Sequence, residues 1–245
     1  MRPINVFIGY DPAESIAYHV AVQSIMDNTK HPNVRITPLN SAILKRARIY
    51  ERKREPTQST EFSFTRFLVP YLSGYSGRAI FMDCDILCLA DIEELWEMTD
   101  VFGREGFPAV CVAKHTYTPK TEKKHLGRVQ TKYIKKNWSS VMVFNCSHYD
   151  CQKLSPWYVS KQPGLVLHQF EWTRAYRVDS FPIEWNWLVG EYPYKQDIKL
   201  AHFTIGGPWF EDTKNCDYSD LWREYYGRAV YAQDSKVKVA SKSAI

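Results

Sequence analysis

The sequence predicts an α/β fold. Three observations lead to this prediction. Short apolar runs typical of buried strands recur along the chain, among them residues 4–9 and 79–82. Segments with helical spacing of apolar residues lie between these runs. Two aspartates, Asp83 and Asp85, follow the run 79–82 directly. They would lie at the carboxyl end of a strand, where ligands bind in open α/β sheets.

Residues 4–9 form the first predicted strand, which ends in Gly9. Asp11 and Pro12 follow as a helix N-cap and a proline at the first helical position. Such a strand–turn–helix unit is typical of nucleotide-binding domains, although the G-x-G-x-x-G fingerprint of dinucleotide sites is absent. We therefore expect Gly9, Tyr10 and Asp11 to contact the base and ribose of a nucleotide. For Asp11, a purely structural role as a helix cap is an equal alternative.

Residues 34–39 are predicted to form a second strand, and residues 59–72 the clearest helix. In the helix, apolar residues follow the spacing i, i+3, i+4, i+7 and i+8. Pro70 should kink it, because its ring clashes with the carbonyl of Arg66. An arginine near this bend is placed either to reach a phosphate or to steady a ligating carboxylate. A surface position for Arg66 is the alternative.

The two aspartates are separated only by Cys84. In an extended strand, residues two apart face the same side, with Cα atoms roughly 6–7 Å apart. Two unpaired carboxylates at a buried strand end would repel each other and lose solvation. A bound Mg²⁺ or Mn²⁺ removes both problems. A polar strand end with one aspartate capping a turn is the alternative, but the flanking IFM and ILCLADIEELW favour the metal site.

A basic segment occupies residues 114–136. It carries seven lysines and one arginine against a single glutamate, without apolar periodicity. This composition predicts a long exposed loop. The segment would cover an anionic donor, receive an anionic acceptor or simply be solvated. Predicted strands at 108–113 and 140–145 flank it.

The C-terminal half places polar side chains among apolar ones. His168 and Gln169 stand in VLHQFEW and are candidates for the lining of a cleft. His202 follows an apolar run, and a lone histidine there is by itself more typical of the core than of a metal site. Gly206 and Gly207 would allow backbone N–H groups to approach a phosphate closely.

Length and composition predict one domain. Of the 245 residues, 44% are hydrophobic and 24% charged, which is ordinary for a globular protein. We expect a single domain over residues 1–230, with a final helix at 220–226 and a polar, disordered tail at 231–245. The net charge of +5 suits an anionic substrate and does not require a specific nucleic-acid partner.

Cysteine usage and hydropathy indicate the compartment. The six cysteines are scattered, with no Cys-x-x-Cys, and several lie in apolar runs, so we expect buried, reduced thiols. No apolar run approaches the length of a transmembrane helix, and the N-terminus lacks a signal-peptide pattern. We therefore expect a cytoplasmic protein, with peripheral contact at the inner membrane surface left open. The oligomeric state has no sequence signal.

Five stretches together resemble glycosyltransferase family 8 and its relatives, which include glycogenin and bacterial lipopolysaccharide hexosyltransferases. The stretches are FTRFLVPYL, IFMDCDILCLADIEELW, SSVMVFN, FPIEWN and HFTIGGPWF. The likeness runs from about residue 4 to residue 210 and extends to order and spacing. It implies a GT-A fold, with a Rossmann-like, largely parallel sheet flanked by helices and with acceptor-side elements toward the C-terminus. It also implies a UDP-sugar donor, an Mn²⁺ or Mg²⁺ ion, retention of anomeric configuration and a glycan or glycoconjugate acceptor.

The resemblance also implies roles for individual residues. Asp83 and Asp85 match the family's Asp-x-Asp, and His202 matches its third protein ligand for the metal. Asp85 is in addition a candidate catalytic residue. Arg66 matches the family arginine near the diphosphate. The turn of Gly206 and Gly207 matches the family's glycine-containing turn, which contacts phosphate.

The chain departs from the family pattern at three places. Gln169 matches a group on the reacting face of the sugar, but the aspartate that often precedes it is replaced by His168. We retain both as catalytic candidates, with the usual hexose specificity in question. The asparagine common before the fifth strand is replaced by Trp138. A lysine common after His-Phe-Thr is absent as well.

Two other function classes compete with sugar transfer. A Mg²⁺-dependent phosphohydrolase of the haloacid dehalogenase type also begins with strand-Asp-x-Asp. Its motif has a threonine at the position where this chain has Leu87. A non-catalytic module that binds nucleotide-sugars or RNA through residues 114–136 is the other alternative. RNA binding would fall steeply with salt and would need no Mn²⁺.

Overall fold

A computed structural model describes residues 2–55, 58–100, 107–120 and 135–231 of the chain. It confirms the predicted α/β fold. The strands are β1 (Ile4–Tyr10), β2 (Val34–Asn40), β3 (Arg78–Met82), β4 (Ile86–Cys88), β5 (Val110–Ala113), β6 (Val141–Asn145), β7 (Val178–Phe181), β8 (Trp187–Leu188) and β9 (Leu200–His202). The α-helices are α1 (Ser15–Asn28), α2 (Ser41–Arg46), α3 (Val69–Leu72), α4 (Ile92–Met98), α5 (Pro156–Lys161), α6 (Gly164–His168) and α7 (Ser219–Val230).

The main sheet has six strands in the order β2-β1-β3-β6-β5-β7. β1 pairs in parallel with β2 and β3, and β5 in parallel with β7. β6 runs antiparallel to both of its neighbours, β3 and β5. Five strands thus share one direction, as the prediction of a largely parallel sheet requires. The central strands are almost fully buried, which explains their continuous apolar sequence.

A second sheet of three strands, β4-β9-β8, brings the C-terminal half to the acid pair. β4 is antiparallel to β9, with Ile86 opposite His202. The backbone N–H of Phe203 donates to the carbonyl of Asp85 over 2.9 Å, and that of Asp83 donates to the carbonyl of Ser140 over 2.9 Å. Residues far apart in the chain therefore meet where β3 ends.

The acid pair does not lie in an extended strand, so that prediction was wrong. Asp83 lies just beyond β3, and Cys84 and Asp85 form a turn that leads into β4. The turn separates two strands of different sheets, and the buried Cys84 packs into the core. Strand alternation therefore does not bring the two carboxylates together.

The predicted continuous helix at 59–72 was also wrong. A short 3-10 helix spans Thr65–Leu68, and α3 follows with four residues. Pro70 lies in the first turn of α3, where a missing N–H removes no helical hydrogen bond. The break at the proline thus becomes the start of a new helix. Arg66 is only 5% exposed, so a surface position for it is excluded.

Other sequence predictions agree with the structure to within a few residues. Residues 34–39 lie within β2, 220–226 within α7, and the strands at 108–113 and 140–145 correspond to β5 and β6. Within the described ranges, no helix is long and apolar enough to cross a membrane. Most of the basic segment, 121–134, and the tail from 232 onward lie outside the described residues. A single domain over 1–230 stays a prediction.

Candidate active site

Two carboxylates and one imidazole converge at the carboxyl end of β3. Asp83, Asp85 and His202 each offer a ligand atom, and these atoms all lie within 4.8 Å of one another. Nε2 of His202 is 3.5 Å from Oδ1 of Asp85. Asp83 and His202 are buried, and Asp85 is partly buried. The three residues predicted as metal ligands are therefore neighbours in space, although His202 lies 117 positions after Asp85 in the chain.

Arg66 contacts the acid pair from the 3-10 helix. Its Nη1 lies 2.9 Å from Oδ1 of Asp83 and donates to the carbonyl of Ser139 over 2.8 Å. The guanidinium carbon also lies 4.9 Å from the centre of the Phe81 ring. Of the two roles open to Arg66, the contact with the carboxylate of Asp83 agrees with the second, and a metal-ligating role of that carboxylate stays a prediction. A phosphate contact stays a prediction.

The predicted nucleotide contacts at the end of β1 have structural roles of their own. Both carboxylate oxygens of Asp11 accept backbone N–H groups, from Ala13 over 3.0 Å and from Glu61 over 3.1 Å. Asp11 is therefore the cap that the alternative interpretation proposed. A Cβ on Gly9 would lie 2.3 Å from the ring of Phe62, so glycine is needed for this packing. Contacts of Gly9, Tyr10 and Asp11 with a nucleotide stay predictions.

The glycine turn after β9 is closely packed. Gly206 adopts a φ of 142°, and its N–H donates to the carbonyl of Phe203 over 2.9 Å. A Cβ on Gly207 would lie 2.0 Å from the indole of Trp209. In this conformation the N–H of Gly206 is directed at the protein rather than at a phosphate. The phosphate role of the turn therefore stays a prediction.

His168 ends α6 beside the Arg66 contact, and Gln169 follows it as the C-cap residue. Nδ1 of His168 lies 2.8 Å from Oγ of Ser139, whose carbonyl binds Arg66. Burial and the charges of Arg66 and Arg52 lower the pKa of His168 to about 3. The imidazole is therefore neutral near pH 7 and a very weak base. The backbone carbonyl of Gln169 accepts a hydrogen bond from the Lys135 ammonium over 2.7 Å.

Sequence reasoning missed the contacts of Asn137 and Ser139, which lie between the basic segment and β6. Asn137 has a left-handed backbone, with φ 61°, and its amide donates to the hydroxyls of Tyr117 and Thr204 over 2.8 and 3.3 Å. Ser139 joins Arg66 to His168. A polar Asn-Trp-Ser-Ser run directly before a buried strand was the available signal.

His115, just after β5, was missed as well. It is 5% exposed, its Nδ1 lies 2.9 Å from the hydroxyl of Tyr192, and its Nε2 has no hydrogen-bond partner among the described residues. Burial and the nearby His202 lower the pKa of His115 to about 3. A second neutral imidazole therefore lies near His202. No sequence pattern marks it.

Comparison with known proteins identifies the family. The family model "Glycosyl transferase family 8" matches residues 15–164. Protein CDI of Arabidopsis thaliana is 44% identical over 226 residues, which is 90% of this chain and 85% of the relative. The match to the family model covers more than half of the chain, and the resemblance inferred from the five stretches is thereby confirmed.

Solved glycosyltransferases share the fold at low identity. The bifunctional glycosyltransferase WbbM superposes with a TM-score of 0.61 at 16% identity over 91% of this chain, which spans 49% of WbbM. GlyE of Streptococcus pneumoniae TIGR4 gives 0.57 at 14% identity, with 92% of this chain and 60% of GlyE covered. The galactosyltransferase LgtC, solved with donor and acceptor sugar analogues, gives 0.58 at 12% identity over 94% of this chain and 98% of LgtC. With its GT-A fold and its family match, the chain belongs to glycosyl transferase family 8 and is a glycosyltransferase.

Proposed function

We propose that this glycosyltransferase is metal-dependent, takes a UDP-sugar as donor and transfers the sugar, with retention of configuration, to a hydroxyl of a glycan or other acceptor. The observation that carries the proposal is the convergence of Asp83, Asp85 and His202, with ligand atoms within 4.8 Å of one another. The nucleotide-binding topology around the cluster supports a nucleotide donor. The structure of LgtC with donor and acceptor sugar analogues supports two sugar subsites.

The three side chains fit a divalent cation. Carboxylate oxygens suit the hard cations Mg²⁺ and Mn²⁺, whereas an imidazole nitrogen favours transition metals, so the mixed set suits Mn²⁺ better than Mg²⁺. Three protein ligands also leave coordination positions for diphosphate oxygens. When bound, the cation would neutralise negative charge on the leaving diphosphate.

Residues of the chain itself would share in this charge stabilisation. As the sugar–phosphate bond breaks, negative charge grows on the diphosphate oxygens. Arg66 holds a positive charge beside Asp83, at 2.9 Å, and would stabilise that growing charge. Donors held in place beforehand need no reorganisation during the reaction.

Retention requires either attack from the face of the leaving group or two successive displacements. A double displacement needs a carboxylate beside the anomeric carbon. Two acidic residues of the C-terminal half, Glu171 and Asp179, are exposed, and Asp179 lies on the edge strand β7. His168, neutral near pH 7, is a poor base. We therefore propose same-face attack, in which a leaving-group oxygen takes the proton of the acceptor hydroxyl.

The proposed setting is a reducing compartment such as the cytoplasm. All six cysteines are free thiols, and five of them are buried. Burial raises the pKa of Cys88 and Cys111 to about 12, which keeps them protonated and unreactive. A peripheral membrane contact remains part of this proposal.

The test is a panel of UDP-hexoses and UDP-pentoses, each assayed for UDP release with Mn²⁺, with Mg²⁺ and with a chelator. We expect slow hydrolysis of one donor with Mn²⁺, loss of turnover with the chelator, and α- or β-retention in the product by NMR. The variants Asp83→Asn and Asp85→Asn should lower turnover by about 10²-fold or more. Asp220→Asn, on the exposed face of α7, is the matched control.

Unchanged turnover in both cluster variants would exclude this metal site. A non-catalytic nucleotide-sugar binder would bind a donor and release no UDP in any condition. Transfer that persists with the chelator would show that the chain is a metal-independent glycosyltransferase.

A further inference from the structure

The imidazole of His202 is held from its far side by a buried amide. Nδ1 of His202 lies 2.8 Å from Oδ1 of Asn186, and Asn186 is fully buried. Asn186 ends the 3-10 helix Ile183–Asn186, directly before β8. β8 pairs with β9, with Leu188 opposite His202. The distance between the amide and the ring is therefore set by the sheet.

The partners of Asn186 determine which way its amide faces. Its Nδ2 donates to the backbone carbonyl of Asn137 over 3.0 Å. Because a carbonyl can only accept, the NH₂ group must face Asn137 and the amide oxygen must face His202. An amide oxygen can also only accept, so Nδ1 of His202 carries the hydrogen. In the neutral ring, Nε2 then has the lone pair, and this atom lies 3.5 Å from Oδ1 of Asp85.

We infer that Asn186 is a positioning residue: its side chain holds His202 in the Nδ1–H tautomer and presents Nε2 to the cation of the proposed metal site. This inference rests on the proposed function. A histidine ligand is oriented by the hydrogen bond of its other ring nitrogen, and loss of such a partner typically weakens metal binding about 10–100-fold.

The carbonyl that orients Asn186 is itself held in place. Asn137 has a φ of 61°, a left-handed conformation that asparagine tolerates better than most residues. Its side chain donates to Tyr117 and to Thr204, and Thr204 lies two residues after His202. Hydrogen bonds thus link Asn137 to His202 through Asn186. A further bond links Asn137 to Thr204, just beyond the end of β9. Asn137 and Asn186 are both buried, so water competes weakly for these bonds.

Substitutions at position 186 separate the two halves of the amide. Asn186→Leu removes both the acceptor for His202 and the donor to Asn137. Asn186→Asp keeps an acceptor for His202 but places an oxygen opposite the carbonyl of Asn137. If the acceptor is what positions the ring, the aspartate variant should keep more of the metal affinity than the leucine variant.

The experiment measures Mn²⁺ affinity of the full chain by isothermal titration calorimetry. We expect Kd to rise at least 10-fold in Asn186→Leu and by a smaller factor in Asn186→Asp. Asn28→Leu is the matched control, because Asn28 makes comparable amide bonds to Cys88 and Tyr225 away from the ring of His202. This control should lose thermal stability and keep its Mn²⁺ affinity. In parallel, ¹⁵N–¹H correlation spectra of the metal-free protein, with His202→Gln to assign the signal, should show the Nδ1–H tautomer.

The outcomes distinguish this inference from the proposed function. Wild-type protein without Mn²⁺ affinity overturns the metal site, and the inference with it. Wild-type protein that binds Mn²⁺, together with an Asn186→Leu variant of equal affinity, overturns only the role of Asn186. An Nε2–H tautomer of His202 in the wild type also overturns the role of Asn186. The NMR spectra of the wild type therefore test that role even if Asn186→Leu fails to fold.

Discussion

Arg66 and Asp83 form a buried ion pair, with Nη1 of the guanidinium 2.9 Å from Oδ1 of the carboxylate. Their side chains are only 6% and 11% exposed. The same nitrogen donates to the carbonyl of Ser139. Arg66 therefore also links the 3-10 helix Thr65–Leu68 to the segment directly before β6. One residue proposed to ligate the metal thus depends on a second for its charge balance, which leads to a first prediction.

Arg66→Met should destabilise the protein more than the loss of one ordinary contact. Removing one partner leaves the other charge buried and uncompensated, which typically costs about 3–5 kcal/mol. The free energy of unfolding, measured by urea denaturation without metal, should fall by that order. Adding Asp83→Asn to Arg66→Met should restore part of the loss, because no lone charge then remains. If the two single losses simply add in the double variant, the pair is not coupled and the prediction is wrong.

Gly9→Ala should destabilise the protein through Phe62. The new Cβ would lie 2.3–2.6 Å from three atoms of the ring, so either the ring or β1 must shift. Overpacking of this kind typically costs about 1–3 kcal/mol. Gly227→Ala in α7 is the matched control, because nothing lies within 4 Å of its Cβ position. The control should be neutral or stabilising by up to about 1 kcal/mol, since alanine favours helix.

Combining Gly9→Ala with Phe62→Leu tests whether the ring is the cause. With the smaller side chain at position 62, Gly9→Ala should lower the free energy of unfolding by less than it does in the parent protein. Thermal or urea unfolding of the parent protein, the two single variants and the double variant gives the coupling free energy. If the free-energy changes of Gly9→Ala and Phe62→Leu are strictly additive, the strain lies elsewhere in β1.

Stability should fall as the pH drops from about 6.5 toward 3, in part because of His168. Burial and the charges of Arg66 and Arg52 lower the pKa of the folded His168 to about 3, from an ordinary value of 6.5. Between these two pH values the unfolded chain binds a proton that the folded chain does not, so protons favour unfolding. One such group changes the free energy of unfolding by at most about 1.4 kcal/mol per pH unit.

The measurement is the urea midpoint of wild type and His168→Gln from pH 7 to pH 4. The glutamine can still bond to Ser139 and does not titrate, so its stability should fall less steeply with acid. His115, whose pKa is lowered to about 3 by burial and by His202, adds a parallel contribution in both proteins. Identical slopes in wild type and variant would contradict the prediction.

Asp150→Ala should lower stability strongly although it lies outside the active site. The carboxylate is 1% exposed and accepts hydrogen bonds from Lys153, Thr173 and Arg177 over 2.7, 2.7 and 3.0 Å. Its loss leaves these donors without their acceptor, so we expect a loss of about 3–5 kcal/mol in urea unfolding. Asp220→Asn, whose side chain is exposed, is the control and should leave the urea midpoint unchanged. Equal midpoints in both variants would show that the Asp150 contacts contribute no net stability.

Much of the fold follows from local sequence patterns. Buried strands such as β1, β3 and β6 read as continuous apolar runs, because both faces of the sheet are covered. The prediction of one continuous helix over residues 59–72 was wrong, because periodicity indicates which side chains are buried and not which backbone conformation carries them. The residues around Arg66 are buried with helical spacing, yet the chain turns as a 3-10 helix and restarts at Pro70.

The sequence by itself determined the α/β class, the position of the acid pair at the end of a buried strand and, through the five family stretches, the choice of His202 as its partner. These features belong to short stretches of residues, in which burial and residue type can be recognised directly from the local sequence pattern. Only the tertiary structure decided that Arg66 pairs with Asp83, that Ser139 links it to His168 and that Asn186 orients His202. Such relationships depend on distances set by strand pairing between β3 and β6 and between β4, β9 and β8. No spacing along the chain encodes them, because pairing joins residues whose separation in sequence is arbitrary.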